Sequence, residues 1–548
     1  MTAPRAVGRF ADSGVVVETG STDEAWALAT ALAHAGVTPG GAGVEEVVVG
    51  FRSVTVILEP GAPDTVGVAA LSDALASLAP APRTDRERRT VQIPVAFDGP
   101  DLPEVAASAG LTPAAVVRLL EAASLEVAFV GFSPGFGYLV GLPPVLAAIP
   151  RRATPRAVVP AGSFALAGGF AGVYPAATPG GWHLVGRAGR RLFDPATAPF
   201  AVLQPGDRVR IVPVDAADVP APDEPAGARP LLEIGNDPAH GARGVVVEEP
   251  GLFTLVEDAG RRGVASIGVP RAGAADPDAL SLANALVGNE PGAAAFECTG
   301  RGPALRFTAP VHAALVGDAA LALDGRRVPT HAVVPVAPGQ TLVVGAVRDP
   351  LRAYLAVDGG VESPVVLASR SSDVLCGLGP GPLRRGDVLA LGAPSRPRAR
   401  LVPLPGRTAG TRVVHVVAGP DPWPEGMAAL CGSDWVVGDA TNRVGVRLRG
   451  PRPAGAPPAI ASRGVVTGAV QVPPDGAPIV LGCDHATVGG YPVPATVVRA
   501  DLAELGRCAP GERVVFEEVD LAGAAELYRT HRRRLEAAVT GWFPTRSA

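Results

Sequence analysis

Near its end, the chain gathers polar side chains among glycines, prolines and short apolar runs, in ASRGVVTGAVQVPPDGAPIVLGCDHATVGGYP (461–492). Glycines let a backbone approach a ligand closely or take positive φ, and short strands such as 477–481 supply rigidity. This texture predicts one wall of a composite ligand site, and its candidate residues are Asp484, His485, Gln471, Tyr491 and Ser462. The alternative is a plain scaffold, because turns between strands have a similar composition.

Asp484 and His485 form the strongest candidate acid/base pair in the chain. Carboxylates and imidazoles are the side chains that most often transfer protons in catalysis. Neighbours on a strand point to opposite faces, so the two need not act together. We predict both as catalytic residues.

Arginine stands beside small polar residues and glycines in three other stretches, which suits the binding of carboxylate or phosphate. The stretch 154–194 contributes Arg156, Ser163, Tyr174, His183 and Arg187, whereas 369–377 contributes Arg370 and Ser372, and 440–450 contributes Arg443. His183 is predicted as catalytic, and the others as ligands of substrate or ATP. For His183, a histidine satisfied within a strand is the alternative.

One apparent motif is rejected. GFSPG (131–135) matches the GxSxG nucleophile elbow of hydrolases. That elbow needs the N–H after the serine, but Pro134 has none, and it biases Ser133 towards an extended backbone. We interpret the block as a loop that presents the rings of Phe132, Phe136 and Tyr138.

The chain has no lysine, so all 48 of its basic Lys+Arg residues are arginine. This excludes a P-loop, a Schiff base, a Ser/Lys amidase and covalently attached biotin, since each requires a lysine. Any anion must therefore be bound by arginine, backbone N–H groups or a metal. We find no metal-ligand spacing, and the five scattered cysteines indicate reduced thiols.

Charge and hydropathy point to a cytoplasmic protein. The net charge is −5 and the pI about 6.0, which indicates neither nucleic acid nor an anionic membrane as a partner. No apolar run reaches the length of about 18 residues that a membrane span needs, and the N-terminus lacks a signal-peptide pattern.

The elements that position these residues are mainly strands. Patterns of periodicity and capping predict an α/β domain over 1–122, with Thr22 and Thr112 as helix caps, and a β barrel over 123–214. A Pro/Ala/Asp-rich linker is predicted over 215–243, two further barrels over 244–519, and a C-terminal helix and tail over 520–548. A helix capped by Asp276 interrupts the strands of the second half.

A degenerate repeat supports this division into barrels. PGDRVRI (205–211), PGQTLVV (338–344), RGDVLAL (385–391) and PGERVVF (510–516) share a glycine followed by alternating apolar residues. Each predicts a turn that feeds a closing strand. Chance recurrence of such turns in β proteins is the alternative.

Several long blocks resemble a known family. FVGFSPGFGYLVGLP, TPRAVVPAGS and YPAATPGGWHLVGR resemble KipI-like proteins, that is, carboxyltransferase subdomains C and D. PGLFTLVEDAGRRGVASIGVPRAGAADPDALSLANALVGN, SRSSD, SRGVVTGAVQVPPDGAPIVLGCDHATVGGYP and PGERVVF resemble KipA-like proteins, subdomains A and B. In order, they resemble the B and C subunits of bacterial 5-oxoprolinase fused in one chain.

The resemblance implies cyclophilin-like β barrels in tandem behind a small α/β domain. It also implies a complex in which a separate 5-oxoprolinase A subunit, of the LamB/YcsF type, opens 5-oxoproline to glutamate with ATP and Mg²⁺. The implied role of this chain is to activate the lactam by phosphorylation. A homo-oligomer within that complex is compatible with the resemblance.

Two blocks depart from the family pattern, and two other functions stay open. Phe170 and Ala171 replace an expected Gln and Thr in GGFAGVYP, and His485, Ala486 and Val488 are substituted in DHATVGGYP. The alternatives are the carboxyltransferase part of a biotin-dependent urea carboxylase, with biotin carried by another chain, and a KipI-type inhibitor of a sensor kinase.

Overall fold

The computed structural model describes residues 5–35, 43–59, 71–76, 78, 89–219, 243–348, 351–397, 411–452 and 460–540. The predicted linker lies outside these residues from position 220 to 242, and the predicted tail does so from position 541. A short 3₁₀ turn, Ala216–Asp218, lies at the start of the predicted linker.

The N-terminal domain is a four-stranded antiparallel sheet with a helix packed against it. Its elements are β1 (Val7–Phe10), β2 (Gly14–Glu18), α1 (Thr22–Ala35), β3 (Val44–Gly50) and β4 (Ser53–Leu58), with strand order β1-β2-β4-β3. The apolar pattern over 44–60 predicts one strand, but β3 and β4 form a hairpin, because the chain turns at Phe51 and Arg52, where Arg52 has a φ of 60°. Residues 71–76 are also helical.

Helix α1 begins one residue earlier than predicted. The Ser21 hydroxyl, not that of Thr22, accepts the Glu24 N–H at 3.1 Å. The Glu24 carboxylate in turn accepts the Gly20 N–H at 2.8 Å, so the two side chains fix the helix start reciprocally.

A closed barrel of seven strands, the first barrel, follows. Its strands are β5 (Thr90–Ala96), β6 (Leu125–Val130), β7 (Gly137–Val140), β9 (Ser163–Ala167), β10 (Phe170–Val173), β12 (His183–Ala188) and β13 (Arg208–Pro213). Strands β8 (Arg156–Val159) and β11 (Thr178–Gly180) pair outside it as a two-stranded ribbon. The helices of this region are α2 (Leu102–Ser108), α3 (Pro113–Ala122) and α4 (Pro144–Ala147).

The first barrel starts earlier than the predicted boundary at residue 122. Strand β5 pairs in parallel with β13, which closes the barrel. The buried side chains of α2 and α3, including Val105 and Leu120, share a core with Ile93 and Ile211. Thr112 caps α3 as predicted, since its hydroxyl accepts the Ala115 N–H at 3.2 Å.

The second half begins with two facing sheets. The seven-stranded sheet runs β20-β19-β22-β17-β14-β25-β24 and the five-stranded sheet runs β15-β16-β23-β18-β21. Their strands are β14 (Gly244–Glu249), β15 (Phe253–Glu257), β16 (Ala295–Thr299), β17 (Ala304–Phe307), β18 (Val311–Val316), β19 (Ala319–Leu323), β20 (Arg326–Val328), β21 (Val333–Val336), β22 (Thr341–Val347), β23 (Arg352–Val357), β24 (Val361–Glu362) and β25 (Val388–Leu391).

These sheets stand where the sequence predicted a further barrel, and their edges do not join within the described residues. Helix α5 (Pro277–Val287) explains the layered arrangement. It packs on the outer face of the five-stranded sheet, against Ala314 and Tyr354, while the inner face shares a core with the seven-stranded sheet. Asp276 caps α5 as predicted, by accepting the Ala279 N–H at 3.0 Å.

A second closed barrel completes the fold. Its strands are β26 (Arg412–Ala418), β27 (Trp435–Val437), β28 (Gly445–Arg449), β30 (Ala469–Gln471), β31 (Ile479–Leu481), β33 (Ala495–Val497) and β34 (Arg513–Glu518). Strands β29 (Arg463–Gly464) and β32 (Val488–Gly489) pair outside it. The remaining helices are α6 (Pro424–Cys431), α7 (Leu502–Arg507) and α8 (Leu521–Thr540).

The four repeated turns behave as predicted. Their glycines, Gly206, Gly339, Gly386 and Gly511, have φ values of 82°, 85°, 90° and 87°, a region that favours glycine. Each precedes a strand, namely β13, β22, β25 or β34.

The five cysteines are free, as expected. Among the described helices none is by itself long and apolar enough to span a membrane, and one bent pair, α2 with α3, meets the length and composition together.

The two halves of the chain are tied directly to each other. Glu46 in β3 accepts the N–H groups of Gly263 at 2.9 Å and Ala265 at 2.7 Å. The Phe51 N–H donates to the Ser462 carbonyl at 2.7 Å. The N-terminal sheet therefore packs on the second half and not only on the barrel that follows it.

Candidate functional site

A cavity of about 500 Å³ lies where the two halves meet. Its volume falls within the range of about 300–1,000 Å³ found for small-molecule sites. The first half contributes Ser13, Glu45, Glu46, Ile57 and Leu58, while the second half contributes the loop 258–275, the start of α5, the loop 482–487 and one side of α8. We refer to this space as the inter-half cavity.

Arg443 lies at one side of this cavity, at the centre of a buried ion network. Its guanidinium binds Asp484 through two hydrogen bonds, Nε to Oδ2 at 2.9 Å and Nη2 to Oδ1 at 2.8 Å. Nη1 donates to Glu297 at 2.7 Å and Nη2 donates to the Gly273 carbonyl at 2.6 Å. Such bidentate, charge-assisted bonds fix the orientation of the guanidinium.

Glu297 is held ionised by its surroundings. Burial alone would raise its pKa, but the guanidiniums of Arg443 and Arg352 outweigh burial and lower the pKa below the usual range. The Tyr354 hydroxyl donates to it at 2.6 Å and the Ala275 N–H at 2.9 Å. Glu297 thus has three hydrogen-bond donors, and the Arg352 guanidinium, 3.3 Å away, adds a second positive charge.

Glu257 belongs to the same network, but its pKa is shifted in the opposite direction from that of Glu297. It is fully buried, and neither carboxyl oxygen has a hydrogen-bond partner among the described residues. The cation beside it is Arg443, whose Nη2 lies 3.4 Å away. Burial raises its pKa well above the usual range, against the pull of Arg443 and with the help of the Glu297 and Asp484 charges. Burial therefore favours the neutral form of the Glu257 carboxyl.

The loop 363–382 closes over this network. The Asp258 carboxylate accepts from the Ser369 hydroxyl at 2.7 Å and from the Arg370 N–H at 2.6 Å. Arg261, also fully buried, donates to the Ser371 carbonyl at 2.5 Å. In this loop, burial and then the Asp484 charge raise the pKa of Asp373 to about 6.

Asp484 and His485, predicted as an acid/base pair, have different partners in the structure. Asp484 is fully buried and pairs with Arg443. His485 lines the cavity, and its Nδ1 donates to the Ala486 carbonyl at 2.7 Å. Burial lowers the pKa of His485, so the ring is neutral at pH 7. Within the described residues no hydrogen bond joins the two side chains, as expected for neighbours on an extended segment.

The other candidates of the 461–492 segment do not line the cavity. Gln471 is buried beside Gly489 and its side-chain nitrogen has no partner in the described part of the chain. Tyr491 is 40 % exposed, and Ser462 lies at the contact with Phe51. The segment reaches the cavity instead through Val465, Val466, Thr467, Gly482, Cys483, His485 and Thr487.

The candidates of the first barrel have partners within that barrel and lie away from the cavity. Arg156 pairs with Asp101 at 2.7 Å, Arg187 pairs with Asp98 at 2.6 Å, Ser163 donates to the Pro160 carbonyl at 2.7 Å, and His183 contacts the Pro150 carbonyl at 3.1 Å. Tyr174 packs edge-on against Phe136 and Trp182, and burial raises its pKa to about 12. The Nδ1 atom of His183 is buried and has no hydrogen-bond partner among the described residues, so its catalytic role stays a prediction. A binding role for the others stays a prediction.

Two candidates lie in the loop over the network. Arg370 donates to the Ser363 carbonyl, and Ser372 donates to the Val256 carbonyl at 3.3 Å. Both therefore stabilise the loop that carries Asp373. Their predicted contact with a ligand is not tested by these bonds.

Sequence reasoning missed Glu257 and Glu297. Each is an acid at or inside an otherwise apolar, fully buried strand, FTLVE in β15 and AFECT in β16. A charge at such a position is costly unless it is paired, so it marks a constrained site. That signal was available in the sequence.

Comparison with known proteins agrees with this architecture. A family model described as carboxyltransferase domain, subdomain C and D, matches residues 7–203. A second, subdomain A and B, matches residues 267–518. The matches cover the first half and most of the second half.

Curated relatives match the halves separately. The chain is 43 % identical over 173 residues to the B subunit of 5-oxoprolinase from Escherichia coli O157:H7, covering 31 % of this chain and 78 % of that protein. It is 33 % identical over 294 residues to the C subunit of 5-oxoprolinase from Escherichia coli K12, covering 52 % of this chain and 94 % of that protein. It is also 32 % identical over 321 residues to urea amidolyase of Saccharomyces cerevisiae, covering 53 % of this chain but 17 % of that protein.

One solved structure matches nearly the whole chain. The crystal structure of TTHA0988 is 35 % identical, with a TM-score of 0.82, over 92 % of this chain and 99 % of that chain. The two halves therefore occur together in another single chain. This chain belongs to the carboxyltransferase-domain family that includes urea amidolyase and the B and C subunits of 5-oxoprolinase, with its C/D and A/B regions fused.

Proposed function

We propose that this chain is a component of an ATP-dependent 5-oxoprolinase. It activates 5-oxoproline by phosphorylation, and a separate A subunit of the LamB/YcsF type completes ring opening to L-glutamate. The support is the fusion, in order, of regions similar to the B and C subunits of 5-oxoprolinase. We further propose that both barrels are of the cyclophilin-like type.

The inter-half cavity carries the proposal, because residues of both halves line it. An active site between separate B and C subunits would become an internal site once the two are fused. The cavity is also where arginine can act on an anion, since Arg262, Arg271 and Arg443 line it and the chain has no lysine.

These arginines differ in their freedom to bind a ligand. Arg443 is committed to Asp484 and Glu297. Arg271 pairs with Glu45 at 3.0 Å, and its side chain is 35 % exposed. Arg262 is 4.0 Å from Glu45 and 52 % exposed, so it is the arginine of the three most available to a carboxylate or phosphate.

ATP would supply a phosphoryl group for the lactam oxygen, with Mg²⁺ carried on its phosphates. The residues present fit such an anion, because arginines and backbone N–H groups replace the lysine of other nucleotide sites. The neutral ring of His485 lies at the cavity wall, and the Glu257 carboxyl, whose pKa burial raises, lies behind it. In this proposal they exchange protons with an amide, whereas Arg443 pairs with Asp484 and keeps Glu297 ionised.

The test is reconstitution with the separate A subunit. The purified chain, an A-type protein, ATP, Mg²⁺ and 5-oxoproline should release ADP and glutamate together. Arg262→Met should raise the KM for 5-oxoproline or ATP, whereas Arg385→Met should not. Arg385 is a matched control, since it also has one glutamate partner and its side chain is 70 % exposed. Absence of oxoproline-dependent ADP release, with an A-type protein known to be active, contradicts the proposal.

A second candidate is the carboxyltransferase component of a biotin-dependent urea carboxylase. The similarity to urea amidolyase over 321 residues favours it. Biotin would then have to arrive on another protein, because this chain offers no lysine to carry it. Transfer of a carboxyl group from carboxybiotin to urea, without ATP turnover by this chain, would select this function.

A further inference from the structure

The C-terminal helix α8 docks through one stripe of side chains. Ala524, Tyr528, His531, Leu535 and Ala538 follow one another at spacings of four and three, which places them on one face. Ala524 belongs to a core with Val417, Val498 and Ala500, and Leu535 and Ala538 pack with the residues of α5. The helix thus bridges the second barrel and α5.

His531 is the one ionisable imidazole in this stripe, at its midpoint. Its Nε2 lies 3.2 Å from Oδ1 of Asp278, in the first turn of α5. Asp278 also accepts from Arg507 of α7 at 3.3 Å. The charged groups that face His531 are therefore Asp278, Arg507 and, from the turn before α7, Asp501.

The same helix face forms part of the cavity wall. Tyr528, His531, Arg532 and Leu535 line the inter-half cavity, opposite Glu45 and Arg271. Arg532 has an exposed partner, Glu536, at 3.2 Å, an ion pair that water screens strongly. The match to the A and B subdomains ends at residue 518, before α8 begins at Leu521.

We propose that α8 is a lid on the inter-half cavity, that the His531–Asp278 pair keeps it docked, and that Arg532 contacts an anionic group of the ligand. The ligand class is a carboxylate or a phosphate, because the contact comes from an arginine. This inference rests on the proposed function for placing the ligand in the cavity. The docking part requires no ligand.

Docking is tested by trypsin, which can cut this lysine-free chain only after arginine, and α8 carries four arginines, Arg529, Arg532, Arg533 and Arg534. The Asp278 bond raises the pKa of His531. A raised pKa means that the pair stabilises docking at low pH and loses this effect as pH rises through the folded-state pKa. Cleavage within α8 should thus be faster at pH 8.5 than at pH 6.5.

The controls are His531→Leu, which continues the apolar stripe, and His531→Gln, which cannot ionise. At each pH, the cleavage rate of the wild type is divided by that of each variant. This ratio removes the pH dependence of trypsin itself. That ratio should rise at least about threefold between pH 6.5 and 8.5, since an ion pair of about 0.7 kcal/mol corresponds to that factor. A ratio that stays constant against both variants overturns the lid.

The anion contact is tested on the full chain by calorimetric titration, with 5-oxoproline in one arm and inorganic phosphate in the other. Arg532→Met should weaken binding about tenfold in one arm, the size expected for one hydrogen bond to a charged group. Arg533→Met is the matched control, an exposed neighbour that does not line the cavity. The arm in which binding weakens identifies the anionic group that Arg532 contacts as a carboxylate or a phosphate.

Equal affinity of Arg532→Met and Arg533→Met in both arms overturns the anion contact. Failure of the proposed function looks different, because reconstitution would then give no ADP. The trypsin ratio and the titrations do not depend on turnover, so the two failures are separable.

Discussion

The two closed barrels share one strand order. Around the first barrel it is β5-β12-β9-β10-β7-β6-β13, and around the second it is β26-β33-β30-β31-β28-β27-β34. A strand that comes first, second or later along the chain in one barrel has the same place around the ring as the strand of that rank in the other barrel. The external ribbons correspond too, β8 with β11 in the first barrel and β29 with β32 in the second. The two barrels therefore have the same topology.

The correspondence extends to a partly buried ion pair. Gly99-Pro100-Asp101 follows β5, and Gly419-Pro420-Asp421 follows β26. We call each triplet with its arginine a GPD clasp. In the first, Asp101 accepts from Arg156 and from the Leu184 N–H, both at 2.7 Å. In the second, Asp421 accepts from Arg463 and from the Val493 N–H, the latter at 2.7 Å.

The barrels differ in the loop before TPGGW (178–182) and TVGGY (487–491). The Gly162 N–H donates to the Tyr174 carbonyl, and the Gly468 N–H donates to the Leu481 carbonyl, which aligns these positions. Three residues separate Tyr174 from Thr178, but five separate Leu481 from Thr487. The longer loop carries Asp484 and His485, so the network around Arg443 has no equivalent in the described part of the first barrel.

The ribbons also differ in what covers them. Gly464 in β29 packs on the N-terminal sheet, where its carbonyl accepts from the Thr55 hydroxyl at 3.0 Å. Its counterpart Ala157 in β8 is exposed, and the neighbouring Val158 is 65 % exposed. The comparison shows two barrels of the same topology, of which the second, with its longer loop and its contact with the N-terminal sheet, contains the buried ion network.

The largest test of this contrast removes the cation of the second barrel. Arg443→Met would leave Asp484 and Glu297 buried without their guanidinium, so we expect a loss of about 3–5 kcal/mol in the free energy of unfolding. Urea titration followed by the fluorescence of buried Trp435 measures it. Arg187→Met, at a half-exposed pair of the first barrel, should cost about 0–1 kcal/mol. Similar costs would show that the network is not a special feature of the second barrel.

The GPD clasps allow a matched pair of substitutions. Asp101→Asn weakens three hydrogen bonds, two of them from the guanidiniums of Arg156 and Arg152. Asp421→Asn weakens two, one of them from a guanidinium, and each variant should cost about 1.5–3 kcal/mol. Asp421→Asn should cost more, because the Arg463 side chain is 5 % exposed and that of Arg156 is 25 % exposed. Differential scanning calorimetry of both variants checks the order. If either variant lost almost no stability, the two clasps would share a geometry but not a contribution to the free energy of unfolding.

One pair of equivalent positions in the two ribbons allows reciprocal substitutions. A Cβ at Gly464 would lie 2.7 Å from the Cβ of Thr55 and 2.9 Å from that of Val48, so Gly464→Ala should cost about 1–3 kcal/mol. The reciprocal Ala157→Gly, on the exposed ribbon, should cost at most about 1 kcal/mol through backbone entropy. Thermal unfolding of the two variants is the measurement, and the reverse order would contradict the burial of β29.

The smallest expected effect depends on pH. The folded-state pKa of Asp373 is raised to about 6, so the folded state favours the neutral carboxyl. As pH rises from about 4 through 6, the unfolded chain releases this proton first and the wild type loses stability. Asp373→Asn should therefore be more stable than wild type at pH 7.5, on the order of 1 kcal/mol, and equal to it near pH 4.

Denaturant titrations at both pH values measure this difference. Asp387→Asn is the control, because Asp387 lies in the turn before β25 and its carboxylate accepts a local N–H, from Arg384 at 2.7 Å. A gain for Asp373→Asn that is the same at both pH values would contradict the raised pKa.

Local features of the fold were predictable from residue types. Thr112 and Asp276 were expected as caps and act as caps, and the four glycine turns precede strands. The hairpin within 44–60 was not predicted, because both its strands are apolar and the turn Phe51-Arg52 lacks glycine. The layered pair of sheets was not predicted either, since α5 decides it through contacts distant in sequence.

The site was predicted in part. Asp484, His485 and Arg443 were named from residue types, and in the structure Arg443 and His485 line the cavity while Asp484 pairs with Arg443. Glu257 and Glu297 were overlooked because each lies in a short, mostly apolar strand, a pattern that predicts scaffold. Arg156 was taken as a ligand of substrate or ATP, yet it holds a GPD clasp, because sequence alone does not show which carboxylate an arginine meets.

The sequence by itself determined the class of chemistry and the building units. With no lysine, anions can be bound only through arginine, backbone N–H groups or a metal, and the repeated turns specify repeated strands. Only the tertiary structure decided where charge gathers. Arg443 meets Asp484 from 41 residues away and Glu297 from 146 residues away. Such long-range meetings depend on how whole domains pack, and the cost of burying each charge selects the packing that pairs it.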